Sequence, residues 1–267
     1  MLNKKTGQIY SVTKIVSLTL LLSTSAMAED NSTNDEELAD MSDPLAAYTM
    51  AGVGVTNRGL FLKAAKTYDT GNPKTMGMNL IELKGIYSDD LGWEDDTVNS
   101  IDSLRVRNLS VITATGTGAQ IDLSYAFNTE IGSLSYSIMQ AFQKMWRFNL
   151  YPLAGAGVVL ANNFPQDEGT IASGYSFPGV FATAAMYGKF TITDKIWLNY
   201  NPIWNTTLSG SDLYKDYSFE GHNSVLLHEA IISYQINIRT NVRYFANWSQ
   251  YTDFGDGDHR LELNYQF

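Results

Sequence analysis

The sequence predicts an all-β chain, a single antiparallel transmembrane β-barrel of about twelve strands. Three observations predict it. Apolar and polar residues alternate with period two along most of the chain, the pattern of strands with one apolar and one wet face. Many of the alternating runs reach about nine residues or more, the length a tilted strand needs to cross a bilayer. The links between runs are alternately short and long, as in a barrel with turns on one side of a membrane and loops on the other.

The chain begins with Lys4, Lys5 and Lys14 ahead of or beside the apolar run "IVSLTLLL" (Ile15 to Leu22), followed by "STSAMAED". The run is too short to span a bilayer, and Ala26-Met27-Ala28 has the small-x-small form of a cleavage site. Residues 1–28 therefore read as a secretory signal peptide cut after Ala28. That leader takes away three lysines and no acid from a chain of net charge −10, leaving −13. Such a balance excludes nucleic acid as a partner, because nucleic acid needs a basic footprint. Cysteine is absent, so an exported chain of this kind holds together by burial and hydrogen bonding rather than by disulfides. No second apolar stretch is long enough for a transmembrane helix. In lipid, the remaining spanning architecture is a closed barrel with every backbone group paired.

Residues 29–46, "EDNSTNDEELADMSDPLA", are acidic and aperiodic and read as a flexible periplasmic tail. The barrel then occupies 47–267. Strands are expected over 47–56, 60–68, 76–87, 101–113, 118–128, 132–143, 147–162, 175–192, 195–208, 222–238, 241–251 and 258–267. Ile121, Leu123, Tyr125 and Phe127 oppose Gln120, Asp122, Ser124 and Ala126; Leu134, Tyr136 and Ile138 oppose serines. In 195–208 and 241–251, Leu198, Tyr200 and Trp204 oppose Asn199, Asn201 and Asn205, and Tyr244 and Trp248 oppose Arg243 and Asn247. Segments 147–162 and 222–238 are ambiguous, and 101–113 changes phase near Asn108, as at a bulge. The clearest alternation is the last, "HRLELNYQF": Leu261, Leu263, Tyr265 and Phe267 on one face, Arg260, Glu262, Asn264 and Gln266 on the other. Chain ends fray unless tied down, and a final strand that must seam a barrel against the first is tied.

The links "DTGNPKT", "TATGTG", "KMWR", "TDK" and "RT" fall on one side, and "SDDLGWEDDTVNS", "NNFPQDEGTIAS", "GSDLYKDYSFEG" and "TDFGDGD" on the other, where "NRG" and "TEIG" are short exceptions. Trp93, Tyr151, Tyr187, Tyr200, Trp204, Tyr244, Trp248, Tyr265 and Phe267 suit an aromatic girdle, although β-propensity alone also favours such residues.

The Ala-x-Ala leader, the alternating strands and the closing "LELNYQF" together resemble Gram-negative outer-membrane β-barrels, and "LYPLAGAGVVLA" is similar to the strands of small members. The resemblance implies residence in the cell outer membrane, among its lipid and lipopolysaccharide. It also implies that Leu263, Tyr265 and Phe267 form the signal read by the barrel-assembly machinery.

Function has to come from a site rather than from the fold. Period two places Lys63, Glu82, Lys84, Arg105, Arg107, Asp122, Lys189, Glu229, Arg243, Arg260 and Glu262 on the polar, lumenal parity. A mainly basic lumen favours anions. The same residues also read as a salt-bridge ladder, Glu82 and Lys84 facing Arg105 and Arg107, that fills a narrow interior. The long loops carry the opposite charge: Asp89, Asp90, Glu94, Asp95 and Asp96, then Asp212, Asp216 and Glu220, then Asp253, Asp256 and Asp258. "DFGDGD" lacks a full calcium-loop pattern, and solvated, mutually repelling loops account for it. His222 and Ser224 share a strand face at the spacing used by outer-membrane lipid hydrolases, but Val225-Leu226 stands where those enzymes have Asn-Gly. No metal site and no cofactor is expected. The leading expectation is a passive channel for small hydrophilic solutes with an anion preference. A closed structural or surface-interaction barrel acting through its acidic loops is the alternative, and a lipid hydrolase is the third reading.

Overall fold

The computed structural model describes residues 38–88, 101–142, 145–165 and 171–267. The expected signal peptide, the first half of the expected tail (29–37) and the loop residues Asp89 to Asp96, Trp93 among them, lie outside the described residues. Twelve strands follow one another in sequence: β1 (Met50–Thr56), β2 (Gly59–Asp69), β3 (Thr75–Ile86), β4 (Ser103–Ile112), β5 (Thr117–Ala126), β6 (Ile131–Gln140), β7 (Phe148–Asn162), β8 (Tyr175–Thr191), β9 (Ile196–Gly210), β10 (Ser224–Asn237), β11 (Thr240–Ser249) and β12 (Asp258–Gln266). Every strand pairs antiparallel with its chain neighbours, and β1 pairs with β12, so the sheet closes without an edge. Every boundary falls within about three residues of the predicted one. A short helix, α1 (Asp212–Tyr217), lies in the β9–β10 loop, capped by the Ser211 hydroxyl accepting from the Tyr214 amide. Among the described residues no helix is long and apolar enough to cross a membrane.

Side chains sort by parity as a barrel in lipid requires. On β12, Glu262, Asn264 and Gln266 are 1–2% exposed, whereas Leu261, Leu263 and Tyr265 are 41–48% exposed. The same inversion holds around the wall: Asn199, Asn201 and Ser233 are buried inside, while Leu134, Ile138, Tyr200, Trp204 and Ile232 form an apolar outer surface. In a soluble β-domain the apolar faces would be the buried ones.

Closure at β1–β12 rests on glycines. A Cβ at Gly52 would lie 2.5 Å from Asn264 Oδ1 and 2.9 Å from Lys63 Cε. One at Gly54 would strike the Leu261 carbonyl and lie 3.0 Å from Glu262 Cβ. Their absence leaves β1 bare on its inner side. Lys63 of β2 can then reach across it to Glu262 of β12, Nζ to Oε1 at 2.8 Å. The terminal residues are tied as well: the Phe267 amide donates to the Thr49 carbonyl at 3.1 Å.

Two expectations are corrected here. The tail was expected to run free to Ala46, but residues 38–49 enter the barrel mouth on the side of the short turns. Met41 and Ala47 are buried, and Ala47 joins Met50, Ala65, Met78 and Leu80 in an apolar cluster with Tyr48 and Leu109. Nor is there a bulge at Asn108, since β4 pairs without a register shift on both sides. The inner face itself changes character. Arg105 and Arg107 give way to Leu109 and Val111 where the wall meets the inserted segment, and Asn108, pointing outward, donates to Asn79 Oδ1 and the Tyr68 hydroxyl. Register shifts lie instead at Leu60/Phe61, Val159/Ala161, Val180/Phe181 and Gln235/Asn237.

Glu262→Ala should leave Lys63 and Arg260 without their buried counter-charge at a cost of about 3–5 kcal/mol, read as a lower urea midpoint for refolded protein in micelles. Lys66→Ala, on the exposed outer side of β2, should change stability by less than about 0.5 kcal/mol.

Candidate functional site

The strands bring the sequence-selected charges into one interior. Facing strands are twisted, so side chains reach diagonal partners as easily as opposite ones. Arg107 is opposite Leu80 in register, and its Nη2 donates to Glu82 Oε2 at 2.7 Å. Arg105 is opposite Glu82 but turns to β5, where Nε and Nη2 grip Asp122 with two bonds of 3.0 and 2.5 Å. Lys84 crosses the seam to Asp258 at 2.6 Å. Of the ladder expected between Glu82/Lys84 and Arg105/Arg107, the Glu82–Arg107 rung is present, while Arg105 turns to β5 and Lys84 to β12. Asp258, assigned by sequence to an outer loop, begins β12 and points inward. With it inside, the acids come close to matching the bases. Arg243 makes no ion pair among the described residues; its Nε donates to Ser233 Oγ at 3.1 Å.

A second feature was missed by sequence reasoning. Phe61 and Phe245 sit on inward parity, 1% and 5% exposed. The Arg260 guanidinium lies between them, 4.6 Å from the Phe61 centroid and 4.0 Å from that of Phe245. Lys63 lies 5.8 Å from Phe61 and Arg243 4.9 Å from Phe245. Cations and rings thus alternate across the seam, each desolvated cation facing the negative face of a ring. Arg260 Nε approaches Glu262 Oε2 at 3.2 Å without hydrogen-bond alignment, and its other guanidinium nitrogens donate to no described residue. The signal was present in the alternation, since Phe61 shares parity with Lys63, and Phe245 with Arg243.

Two cavities share this belt. One, about 610 Å³, opens toward the long loops. The other, about 320 Å³, lies toward the inserted segment. Glu82, Lys84, Arg105 and Arg260 line both and mark the place where they meet. The smaller cavity is floored by residues 41–48, which grip the wall on many sides. Lys189 of β8 donates to the Ser42 hydroxyl and pairs with Asp40 at 3.4 Å. The Met41 sulfur accepts from Gln235 and Asn241, and Gln266 Nε2 donates to the Ala39 carbonyl at 3.2 Å. A Cβ at Gly118 would meet the Leu45 side chain at 2.6 Å, so β5 leaves room for that leucine.

Tyr151 and Tyr187, expected in an outer girdle, turn inward, Tyr151 toward Asp43 and Tyr187 into the smaller cavity. Leu263, Tyr265 and Phe267 all lie on the outer surface, with the last two rings edge to face at 5.2 Å. At the loop end, Glu220 accepts from Ser249 and Thr252 hydroxyls, which ties two loops together. His222 stacks on Tyr251 with ring centroids 3.9 Å apart and makes no hydrogen bond to Ser224. Tyr214 of α1 is buried, which pushes its hydroxyl up to about 12.

Burial raises the Asp40 carboxyl, but bonds from the Ser42 hydroxyl and amide and the Lys189 charge outweigh it and hold it below its ordinary 3.8. A carboxyl depressed on folding adds stability above its ordinary value and loses it as the pH falls through the depressed one. The inserted segment should therefore stay anchored at neutral pH and loosen as the pH drops below 3.8. Because Asp40 is half exposed, its pair with Lys189 is worth about 0.2–1 kcal/mol. Lys189→Met should accelerate protease cleavage within residues 38–49 at neutral pH by up to about fivefold, and the pH effect should shrink in that variant to what the Ser42 bonds to Asp40 sustain.

No protein-family model and no curated protein sequence matches the chain. Among solved structures it resembles the NanC porin, with a TM-score of 0.54 and 8% identity over 82% of this chain and all of that one. Weaker matches include the KdgM porin in complex with disordered oligogalacturonate, at 0.45 and 8% identity over 83% and 99% of the two chains. Another is the translocator domain of the autotransporter NalP from Neisseria meningitidis, at 0.46 and 10% identity over 98% of each. At such identities the likeness speaks to fold. With its closed twelve-stranded wall, polar interior and apolar exterior, the chain has the fold of a transmembrane β-barrel, similar in shape to the NanC porin.

Proposed function

We propose that the protein is a small-solute channel of the outer membrane, with an anion preference, whose conduction is controlled by residues 38–49. The observation that carries the reading is the charged belt at the junction of the two cavities: Lys84, Arg105 and Arg260 against Glu82, with Lys63 and Arg243 beside them. Cations fixed in a low-dielectric wall lower the barrier for anions and raise it for cations. The NanC protein, similar in fold, is named a porin, which agrees with this use of the architecture. On this reading the short-turn end faces the periplasm and the inserted segment closes that mouth. The outer belt meets lipid and lipopolysaccharide. Leu263, Tyr265 and Phe267 are displayed outward for the assembly machinery.

The near balance of acids and bases favours a second reading, a filled barrel that acts through its loops. Conductance separates the two. In planar bilayers the full chain should conduct weakly or in brief openings, and a variant lacking residues 38–46 should conduct steadily with an anion-selective reversal potential. Arg243→Gln, which leaves no carboxylate orphaned, should reduce that anion preference by about twofold. Absence of current from both forms, with the barrel folded, would leave the loops as the working surface. A cation-selective current would overturn the anion assignment.

A further inference from the structure

The larger cavity has two unlike halves. Toward the loops its wall is mostly carbon, built from Val159, Phe164, Tyr217 and Phe219 with Leu213. At its floor stand Lys84, Arg105 and Arg260, with the one carboxylate Glu82 already bonded to Arg107. Its volume, about 610 Å³, falls within the range of pockets that enclose a small organic ligand.

The wall is held in place rather than draped over the mouth. The α1 helix lies inside the rim because Gly179 and Gly210 leave room for the Tyr214 ring, against which a Cβ at either position would collide. Phe219 packs edge to face on Phe181 at 6.4 Å. The floor is equally fixed. Arg260 is clamped flat between Phe61 and Phe245 and meets Glu262 only through Nε, so its terminal nitrogens remain as donors. Arg105 is locked by its two bonds to Asp122. Planar guanidinium donors held in place match a carboxylate, which they can bind with two parallel hydrogen bonds.

We propose that this vestibule binds aromatic carboxylates, the ring lying among Val159, Phe164, Tyr217 and Phe219 and the carboxylate on the terminal nitrogens of Arg260. An amine would meet three cations at the floor. A neutral ring would leave the terminal nitrogens of Arg260 without an acceptor. A sugar acid would satisfy the floor, but it would place most of its hydroxyls against carbon. Among the wall hydroxyls, Ser124 and Ser133 are already bonded to each other at 2.9 Å. Buried polar groups without partners carry a free-energy cost that an aromatic ring does not.

The assignment deepens the channel reading by naming the class of solute that enters, and it rests on that reading only for its physiological use. Binding needs no conduction, so the two can fail separately. The test is calorimetric titration of the full chain in micelles with benzoate, benzylamine, benzyl alcohol and a hexuronate, each against a protein-free micelle blank. Benzoate should bind saturably and at least about tenfold more tightly than the other three. Arg260→Gln should weaken benzoate by about tenfold, the loss of one charged hydrogen-bonded pair. Phe164→Ala, away from the seam, should weaken it several-fold, so the proposal stays testable if Arg260→Gln fails to fold. Benzylamine or the hexuronate binding as tightly as benzoate would overturn the assignment, as would benzoate binding that Phe164→Ala leaves unchanged. A barrel that binds benzoate but passes no current would keep the site and remove the channel. One that conducts without binding benzoate would do the reverse.

Discussion

The structure depends on one constraint, that a sheet in lipid must leave no backbone donor or acceptor unpaired. Twelve antiparallel strands meet it only if β1 and β12 join, and the join is made by an ion pair reaching over a strand. Lys63 and Glu262 sit on the two neighbours of β1, and Gly52 and Gly54 keep the inner side of β1 low enough for them to touch. Arg260, Phe61, Phe245 and Arg243 extend that contact into a stack on the inner wall. The seam is therefore the place where closure, electrostatics and the central charged belt coincide. The cost of burying Glu262 at 1% exposure is offset by two cations, which makes the seam intolerant of losing any single charge.

Closure also explains the two-part interior. Midway along the barrel the inner wall is polar and charged, where the two cavities meet. Near the short turns it becomes apolar, with Ala65, Met78, Leu80 and Leu109 turned inward against Ala47 and Met50. An apolar inner wall is unfavourable beside water, and the chain resolves this by folding its own residues 38–49 against it. The segment is held by modest contacts, one half-exposed ion pair and hydrogen bonds to a methionine sulfur among them. Such contacts suit an element that closes a mouth and can also leave it.

Most of the wall was legible in the sequence, because period two is a direct consequence of strand geometry and lipid reverses which face is buried. Strand ends, the alternation of short and long links and the inward parity of Lys63, Glu82, Arg105, Arg107 and Asp122 all follow from that one regularity. What it could not convey was pairing. Parity says that Lys84 points inward, but not that it crosses to Asp258, since reach across a lumen depends on barrel width and twist. Polarity misled where the interior ceases to be wet: Leu109 and Val111 read as a slip of phase at Asn108, because an apolar inward residue has no meaning until something inside covers it. The segment that covers them looked like a tail, since its contacts come from isolated residues, Met41, Leu45 and Ala47, with no period. Phe61 and Phe245 share the parity of Lys63 and Arg243, but parity alone does not say that their rings close on Arg260.

The account stands or falls on residues 38–49 lying inside the barrel. The chain has no cysteine, so a single engineered thiol reports its own surroundings. The measurement is the rate of labelling by a membrane-impermeant maleimide of refolded single-cysteine variants at positions 40, 41 and 47. The account predicts fast labelling at position 40, exposed at the mouth, and labelling at 41 and 47, 5–6% exposed, slowed at least about tenfold and restored in denaturant. Equal, fast labelling at all three positions in the folded barrel would contradict it.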